Sequence, residues 1–201
     1  MTIDASEVKR LRDETGAGMM DCKRALQEAG GDRAKALDIL RQQGLATLQK
    51  RQGKAAQEGI IASYTHFNGK VAVLVELNCE TDFVARTEDF KNLGKELAMQ
   101  IAMTNPRYLQ KEDVPPEVLE KERAILRAQP DVQSKPAAVQ ERIVEGRLNK
   151  FYEQTCLLEQ AYIRDDKRKV KDLLNEAAAR LGENLQIRRY VRMQIGETAG
   201  E

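Results

Sequence analysis

Val71-Ala72-Val73-Leu74-Val75-Glu76-Leu77-Asn78-Cys79-Glu80-Thr81-Asp82-Phe83-Val84 reads as a strand that ends in a polar break, followed at once by an acid and an aromatic. Val71, Val73, Val75 and Leu77 fall on one face at period two, while Ala72, Leu74, Glu76 and Asn78 make a mixed second face. Upstream, Ile60-Ile61-Ala62-Ser63-Tyr64-Thr65 is a second strand, and the intervening Asn68-Gly69 is the dipeptide favoured in a type I′ turn. The two predict an antiparallel hairpin over 60–79 with one buried side. Near the C-terminus, about 186–195, Ile187, Val191, Met193 and Ile195 share a face with Arg189 as the exception. Arg188, Tyr190, Arg192 and Gln194 lie on the other, which must be wet or paired. A late third strand beside the hairpin gives a small three-stranded antiparallel sheet packed with helices, an α+β fold.

Before the hairpin, residues 1–45 read as a three-helix module. Ser6 can cap a helix carrying Val8 and Leu11, and Thr15-Gly16-Ala17-Gly18 breaks it. Met19, Cys22, Leu26 and Ala29 recur at three or four on the next helix, which Gly30-Gly31 ends. Asp32 caps a third, which buries Ala36, Leu37 and Leu40 before Gly44. A bundle of ~40 residues is marginal alone, so it reads as an appendage or binding module. Residues 46–58 are mostly polar, a connecting helix or linker. Residues 59–196 form the α+β core, with helices over about 87–182. Phe90, Leu93, Leu97 and Ile101 make a core-facing stripe, Asn105-Pro106 stops that helix, and Pro116 starts another. Residues 137–151 and 167–182 read as two more helices, and 197–201 as a frayed tail.

Composition bounds the function. The chain has 201 residues, enough to bury a core. Its 33 basic and 32 acidic residues give a net charge of +1, which argues against bulk electrostatic attachment to nucleic acid; a local patch over Arg164–Lys171, with its five bases, stays open. No apolar run approaches the ~20 residues a membrane span needs, and Met1–Ser6 lacks the basic start and apolar stretch of a secretory signal. Cys22, Cys79 and Cys156 are odd in number and dispersed, as suits a reducing cytosol. Signals for covalent chemistry are weak: no nucleophile elbow, no HExxH motif, and no Cys/His pair at ligand spacing. The single His66 sits beside the hairpin turn, where an exposed turn residue is the plainer reading. Thr15–Lys23 fails the phosphate-loop pattern, and no strand precedes it.

Two features remain. Met19 and Met20 are adjacent on a helix and cannot both face one narrow core; core filling and an adaptable contact surface stay open. Phe83 either folds back on the helix carrying Phe90–Ile101, with Asp82 capping that helix, or stands exposed as a wedge with a carboxylate beside it. Spacing alone leans to the core.

The motifs Val8-Lys9-x-Leu11-Arg12-x-x-Thr15-Gly16-Ala17-Gly18-Met19-Met20-Asp21-Cys22-Lys23-x-Ala25-Leu26 and Asn78-Cys79-Glu80-Thr81-Asp82-Phe83-Val84-Ala85 resemble the translation elongation factor Ts family. Val144-Glu145-Gly146-Arg147 and Ile187-Arg188-Arg189 extend the resemblance toward the C-terminus. It implies a guanine-nucleotide exchange factor for elongation factor Tu, working in the cytoplasm by binding rather than by covalent chemistry, with no cofactor or metal of its own. It implies that the N-terminal module is ubiquitin-associated-like and docks on the GTPase through Lys9, Leu11, Arg12, Met19 and Met20. It implies that Thr81, Asp82, Phe83 and Val84 form an intruding loop that disturbs the partner near its magnesium, which moves Phe83 toward the wedge. Longer members carry two related sheet subdomains; this chain resembles the short form, for which the resemblance implies a homodimer. Two other readings compete: a ubiquitin-associated-like adaptor without exchange activity, and an RNA-binding protein built on Arg164–Lys171 and the Arg188, Arg189, Arg192 cluster. An enzyme with its own substrate comes last.

Overall fold

The structure, a computed structural model, describes residues 3–51 and 53–197, with the side chains at 45 and 47–50 outside that description. In chain order the helices are α1 (Ala5–Thr15), α2 (Met19–Glu28) and α3 (Arg33–Arg51), followed by strands β1 (Glu58–Thr65) and β2 (Val71–Cys79). Then come α4 (Asp82–Ala85), α5 (Glu88–Thr104), α6 (Pro116–Arg127), α7 (Pro130–Gln133) and α8 (Ala137–Thr155). Strands β3 (Ala161–Tyr162) and β4 (Asp165–Lys169), helix α9 (Val170–Leu181) and strand β5 (Gln186–Gln194) complete the chain. The main sheet has the order β1-β2-β5, and β3 pairs with β4 in a separate ribbon. The class is α+β. Backbone contacts divide the chain into two compact units. One groups Met1–Ile60, Leu77–Leu93 and Leu174–Gln186; the other groups Ile61–Glu76, Gly94–Leu173 and Ile187–Glu201.

In the first unit, Val8 and Leu11 of α1 pack with Cys22, Ala25 and Leu26 of α2 and Ala36 of α3. Asp4, not Ser6, caps α1: its carboxylate accepts the Ser6 N–H at 3.2 Å and the Ser6 hydroxyl at 2.8 Å. The preference for Asp and Ser at caps does not say which of two neighbours will serve. Asp32 does cap α3, accepting from the N–H groups of Ala34 and Lys35. That helix does not stop at Gly44 but runs to Arg51. A Cβ at Gly44 would lie 3.0 Å from the Ala179 Cβ, so the residue serves a close helix contact and not a stop. The break at Thr15–Gly18 is real. Gly16 ends α1 in the left-handed region, and a Cβ there would run into the Arg180 side chain.

In the second unit the hairpin forms, but not with a type I′ turn. Gly69 takes φ 67° while Asn68 does not turn positive, and the Asn68 side chain instead accepts the Lys70 N–H at 3.0 Å. The β3–β4 ribbon and its turn were not legible. β4 is Asp165-Asp166-Lys167-Arg168-Lys169, with no apolar alternation to mark a strand, so the helix read over 167–182 starts only at Val170. Buried Gln100 holds the ribbon, donating to the Ala161 carbonyl at 3.1 Å and accepting the Ile163 N–H at 2.9 Å. Residues 130–133 form the short α7, and Val132 packs with Leu126, Val144 and Leu148. The reading of a frayed tail over 197–201 falls outside the described residues beyond 197.

The C-terminal strand corrects the expected faces. Ile187 is buried, but Val191, Met193 and Ile195 are exposed. Tyr190 and Arg192 are the half-buried residues instead, tied by the Tyr190 hydroxyl to the Pro106 carbonyl at 2.9 Å and by Arg192 Nε to the Ala102 carbonyl at 3.4 Å. Two polar side chains that find backbone acceptors take the inner positions that hydropathy assigned to Val and Met.

Candidate functional site

The strand β2 ends where Cys79, buried, gives way to Glu80 and the turn that follows. Thr81 is the N-cap of α4 in extended conformation, and its Oγ1 accepts the Val84 N–H at 3.4 Å. Thr87 begins the next helix: its hydroxyl accepts the Phe90 N–H at 3.3 Å. Phe90 is fully buried and Phe83 is 80% exposed, so Phe90 fills the core and Phe83 stands out from it. The fold-back reading of Phe83, with Asp82 as the cap of the long helix, is therefore not the one the chain adopts. Asp82 precedes Phe83 in the chain and pairs with Arg86, the C-cap of the same short helix, at 2.7 Å. Val84 is half-buried and Ala85 buried, which anchors the inner side of the turn.

Backbone groups at the turn are held from across the sequence. Glu183, nearly buried, accepts the N–H groups of Glu80 at 3.0 Å and Thr81 at 3.1 Å on one carboxylate oxygen, and the Thr81 hydroxyl at 2.5 Å on the other. Glu80 in return accepts the Asn184 N–H at 2.7 Å and Arg51 Nη1 at 2.9 and 3.0 Å. The Asn184 N–H holds the Glu80 carboxyl below the usual carboxylate range, burial works against it, and Arg51 adds to the lowering. Burial pushes the neighbouring Cys79 thiol up to about 11, so it stays protonated and unreactive near neutral pH. Sequence reading singled out Thr81–Val84 but not Glu183. Nothing in a local window marks an acid that acts on a turn roughly a hundred residues away.

Of the N-terminal candidates, Met19 is 44% and Met20 63% exposed, and Lys9 and Arg12 are also at the surface. Leu11 is a correction: it is 1% exposed within the helical core, so its side chain offers no contact surface. Both methionines stand out because Cys22, Ala25 and Leu26 already fill the inner face of α2. Gly18 precedes that helix without a side-chain cap.

The second unit presents an apolar sheet face. Ile61, Leu74, Val191, Met193 and Ile195 are all exposed. Arg189 pairs with Glu76 at 2.7 Å, and the Ile195 N–H reaches the Lys70 carbonyl at 2.9 Å. Between these two links the antiparallel register sets Val191 beside Leu74 and Met193 beside Ala72.

Other candidates resolve into local structure. His66 is half-buried between the Tyr64 hydroxyl, 3.0 Å from Nδ1, and the Phe67 ring. The basic run at Arg164–Lys171 is laced to acids: Arg164 to Glu96 at 2.8 Å, Arg168 to Asp165 at 2.7 Å, and Lys169 and Lys171 to Glu159 at 3.1 and 3.2 Å. Burial raises the Glu159 carboxyl, but the hydrogen bonds from Lys169 and Lys171 outweigh it and leave it below its usual value. All three cysteines are free and buried. Among the described residues, no cluster of His, Cys, Asp or Glu could hold a metal, and no helix is long and apolar enough to cross a membrane.

Residues 45–197 match the family model described as Elongation factor TS. The chain belongs to the elongation factor Ts family. A curated elongation factor Ts from Caldanaerobacter subterraneus subsp. tengcongensis is 62% identical over 195 residues, covering 97% of this chain and 98% of that one. Another, from Thermodesulfovibrio yellowstonii, is 55% identical over 201 residues, the full length of both. A third, from Thermotoga neapolitana, is 55% identical over 197 residues, or 98% of this chain and 99% of that one. Membership in this family makes the chain a translation elongation factor, a component of protein biosynthesis.

Proposed function

We propose that this chain is a guanine-nucleotide exchange factor for elongation factor Tu in the cytoplasm, acting by differential binding and forming no covalent intermediate. The observation that carries the reading is Phe83, 80% exposed beside Asp82 on a helical turn whose backbone is fastened. A GTPase holds GDP through backbone N–H groups around the phosphates and a bound Mg²⁺. The exchange factor must bind the empty form better than the GDP-bound form, and the coupling is reciprocal. Each tenfold loss of nucleotide affinity needs about 1.4 kcal/mol of differential binding. Burying one Phe is worth ~1.5–3 kcal/mol, so a single ring supplies one to two decades. Magnesium demands near-octahedral geometry, so a ring and a carboxylate pressed against its surroundings loosen it with a small displacement. Met19 and Met20, with Lys9 and Arg12 near them in sequence, serve in this reading as the docking surface of the helical module. The residues 1–45, 46–58 and 59–196 are then the docking module, its connector and the core that presents the wedge.

The test is release of fluorescent GDP from elongation factor Tu with and without this chain. Acceleration at substoichiometric amounts supports exchange; tight binding without acceleration would leave a ubiquitin-associated-like adaptor.

The same proposal makes the chain a homodimer through the apolar sheet face. Ile61, Leu74, Val191, Met193 and Ile195 are large apolar residues exposed on or beside the strands of one sheet, and a two-fold axis lets such a face cover its copy. Arg189 and Glu76 beside it already neutralise each other. Val191→Glu with Met193→Glu halves the mass seen by light scattering while the far-ultraviolet dichroism holds. An unchanged mass removes this face from the interface.

A further inference from the structure

Two glutamates tie down the turn that carries Phe83: Glu183 accepts the Glu80 N–H, and Glu80 accepts the N–H of Asn184, the residue after Glu183. Glu183 follows Gly182, which ends α9 in the left-handed region at φ 71°. That reversal sends Glu183 toward the tip of β2. There its carboxylate takes three hydrogen bonds, all from Glu80 and Thr81. Glu80 takes the Asn184 N–H, and Asn184 Nδ2 donates to the Lys54 carbonyl at 2.9 Å. Arg51, the last residue of α3, and Lys54 reach Glu80 at 2.9 and 3.5 Å. Arg51 and Lys54, Glu80 and Thr81, and Glu183 and Asn184 thus meet at one pair of acids.

The Thr81 hydroxyl is the link that matters. It donates to Glu183 and accepts from the Val84 N–H, so one oxygen joins the clamp to the turn beneath Phe83. A helix of four residues has too few internal bonds to hold itself. An isolated turn of this length frays, and the direction of an exposed ring on it would be unset. A nearly buried carboxylate gripping two N–H groups and a hydroxyl removes that freedom, because each charge-assisted bond is short, directional and costly to leave unmade.

We infer that Glu183 is a positioning residue: acting through Thr81, it fixes the direction in which Phe83 is presented to the GTPase. This rests on the exchange reading above. Glu183 does not touch the partner's nucleotide in this account, so it governs the rate of release in the bound complex and not the affinity of docking.

The experiment measures fluorescent GDP release from elongation factor Tu as a function of added chain, for wild type, Glu183→Ala, Glu183→Gln, Phe83→Ala and the double variant Glu183→Ala with Phe83→Ala. Glu183→Ala is expected to lower the maximal release rate about tenfold, with the half-saturating concentration within about twofold of wild type. Glu183→Gln keeps an acceptor for the two N–H groups and is expected to recover most of the rate. In the Phe83→Ala background, Glu183→Ala is expected to add nothing, since its effect passes through the ring. A wild-type chain that does not accelerate release overturns the exchange reading itself. A wild-type chain that does, joined to a Glu183→Ala loss of similar size with and without Phe83, overturns the positioning role alone; so does a normal maximal rate in Glu183→Ala. If Glu183→Ala does not fold by its melting curve, the Glu183→Gln and Thr81→Val variants carry the test, and Thr81→Val at full rate overturns it.

Discussion

Met20 on α2 and Phe83 on α4 are both large, apolar and mostly in solvent, yet the chain holds them differently. Met20 sits in the first turn of a ten-residue helix preceded by Gly18, without a side-chain cap, and its thioether turns about three bonds. Phe83 sits on four residues capped by Thr81, clamped by Glu183 and braced through Glu80 to Arg51. The first arrangement suits a surface that adapts to what it meets. The second suits a side chain that must arrive in one place and push. In the proposed exchange reading, binding energy and disruptive force belong to separate regions, and each is open to weakening without the other.

The largest expected effect breaks the second region. Phe83→Ala slows GDP release from elongation factor Tu at least tenfold, because it removes the ~1.5–3 kcal/mol that the ring can contribute on burial. The melting temperature holds, since exposed substitutions away from packed features usually stay within about 0.5 kcal/mol. An unchanged release rate would return Phe83 to a passive surface role. A smaller effect belongs to the first region: Met19→Ala with Met20→Ala weakens complex formation several-fold, measured by titration calorimetry, while the rate at saturation is retained. A fall in melting temperature larger than the loss in affinity would put the two methionines back in the core.

The smallest effect sharpens the contrast with pH. Glu80 has a lowered pKa in the folded chain, so its contribution is fully present above the unfolded value of about 4.3 and is lost as pH falls through the folded value. Acidification below about pH 4.3 therefore loosens the clamp. Amide exchange at Thr81–Ala85, corrected for its intrinsic pH dependence, rises over that window, and Glu80→Gln removes the change. The start of α2, with no carboxylate cap of this kind, shows no such step. Equal acid sensitivity at both places would erase the distinction.

How much of this was legible depended on the range of the interaction. The three N-terminal helices, the hairpin and the stripe of Phe90, Leu93, Leu97 and Ile101 follow from periodicity, glycine breaks and proline stops, which act within a turn or two of chain. The cap of α1 was misplaced by two residues because Asp4 and Ser6 both satisfy the local rule. Helix α3 runs past Gly44 because glycine is tolerated in a helix where another helix needs the space. The β3–β4 ribbon was missed because its second strand is entirely charged, and its first strand and turn are held at Ala161 and Ile163 by a buried glutamine some sixty residues away.

Sequence alone determined the three N-terminal helices, the hairpin, the α+β class and the two motifs that mark the family, since propensity, periodicity and side-chain identity are local properties. Tertiary structure decided which way the residues face. It buried Phe90 and left Phe83 out, buried Leu11 and left Met20 out, and gave Tyr190 and Arg192 the inner positions that Val191 and Met193 were expected to take. It also brought Glu183 to the strand tip. The reason is physical: apolar side chains compete for a core of fixed volume, and a polar group can be buried only where a partner waits. Neither the competition nor the partner can be seen from one stretch of chain.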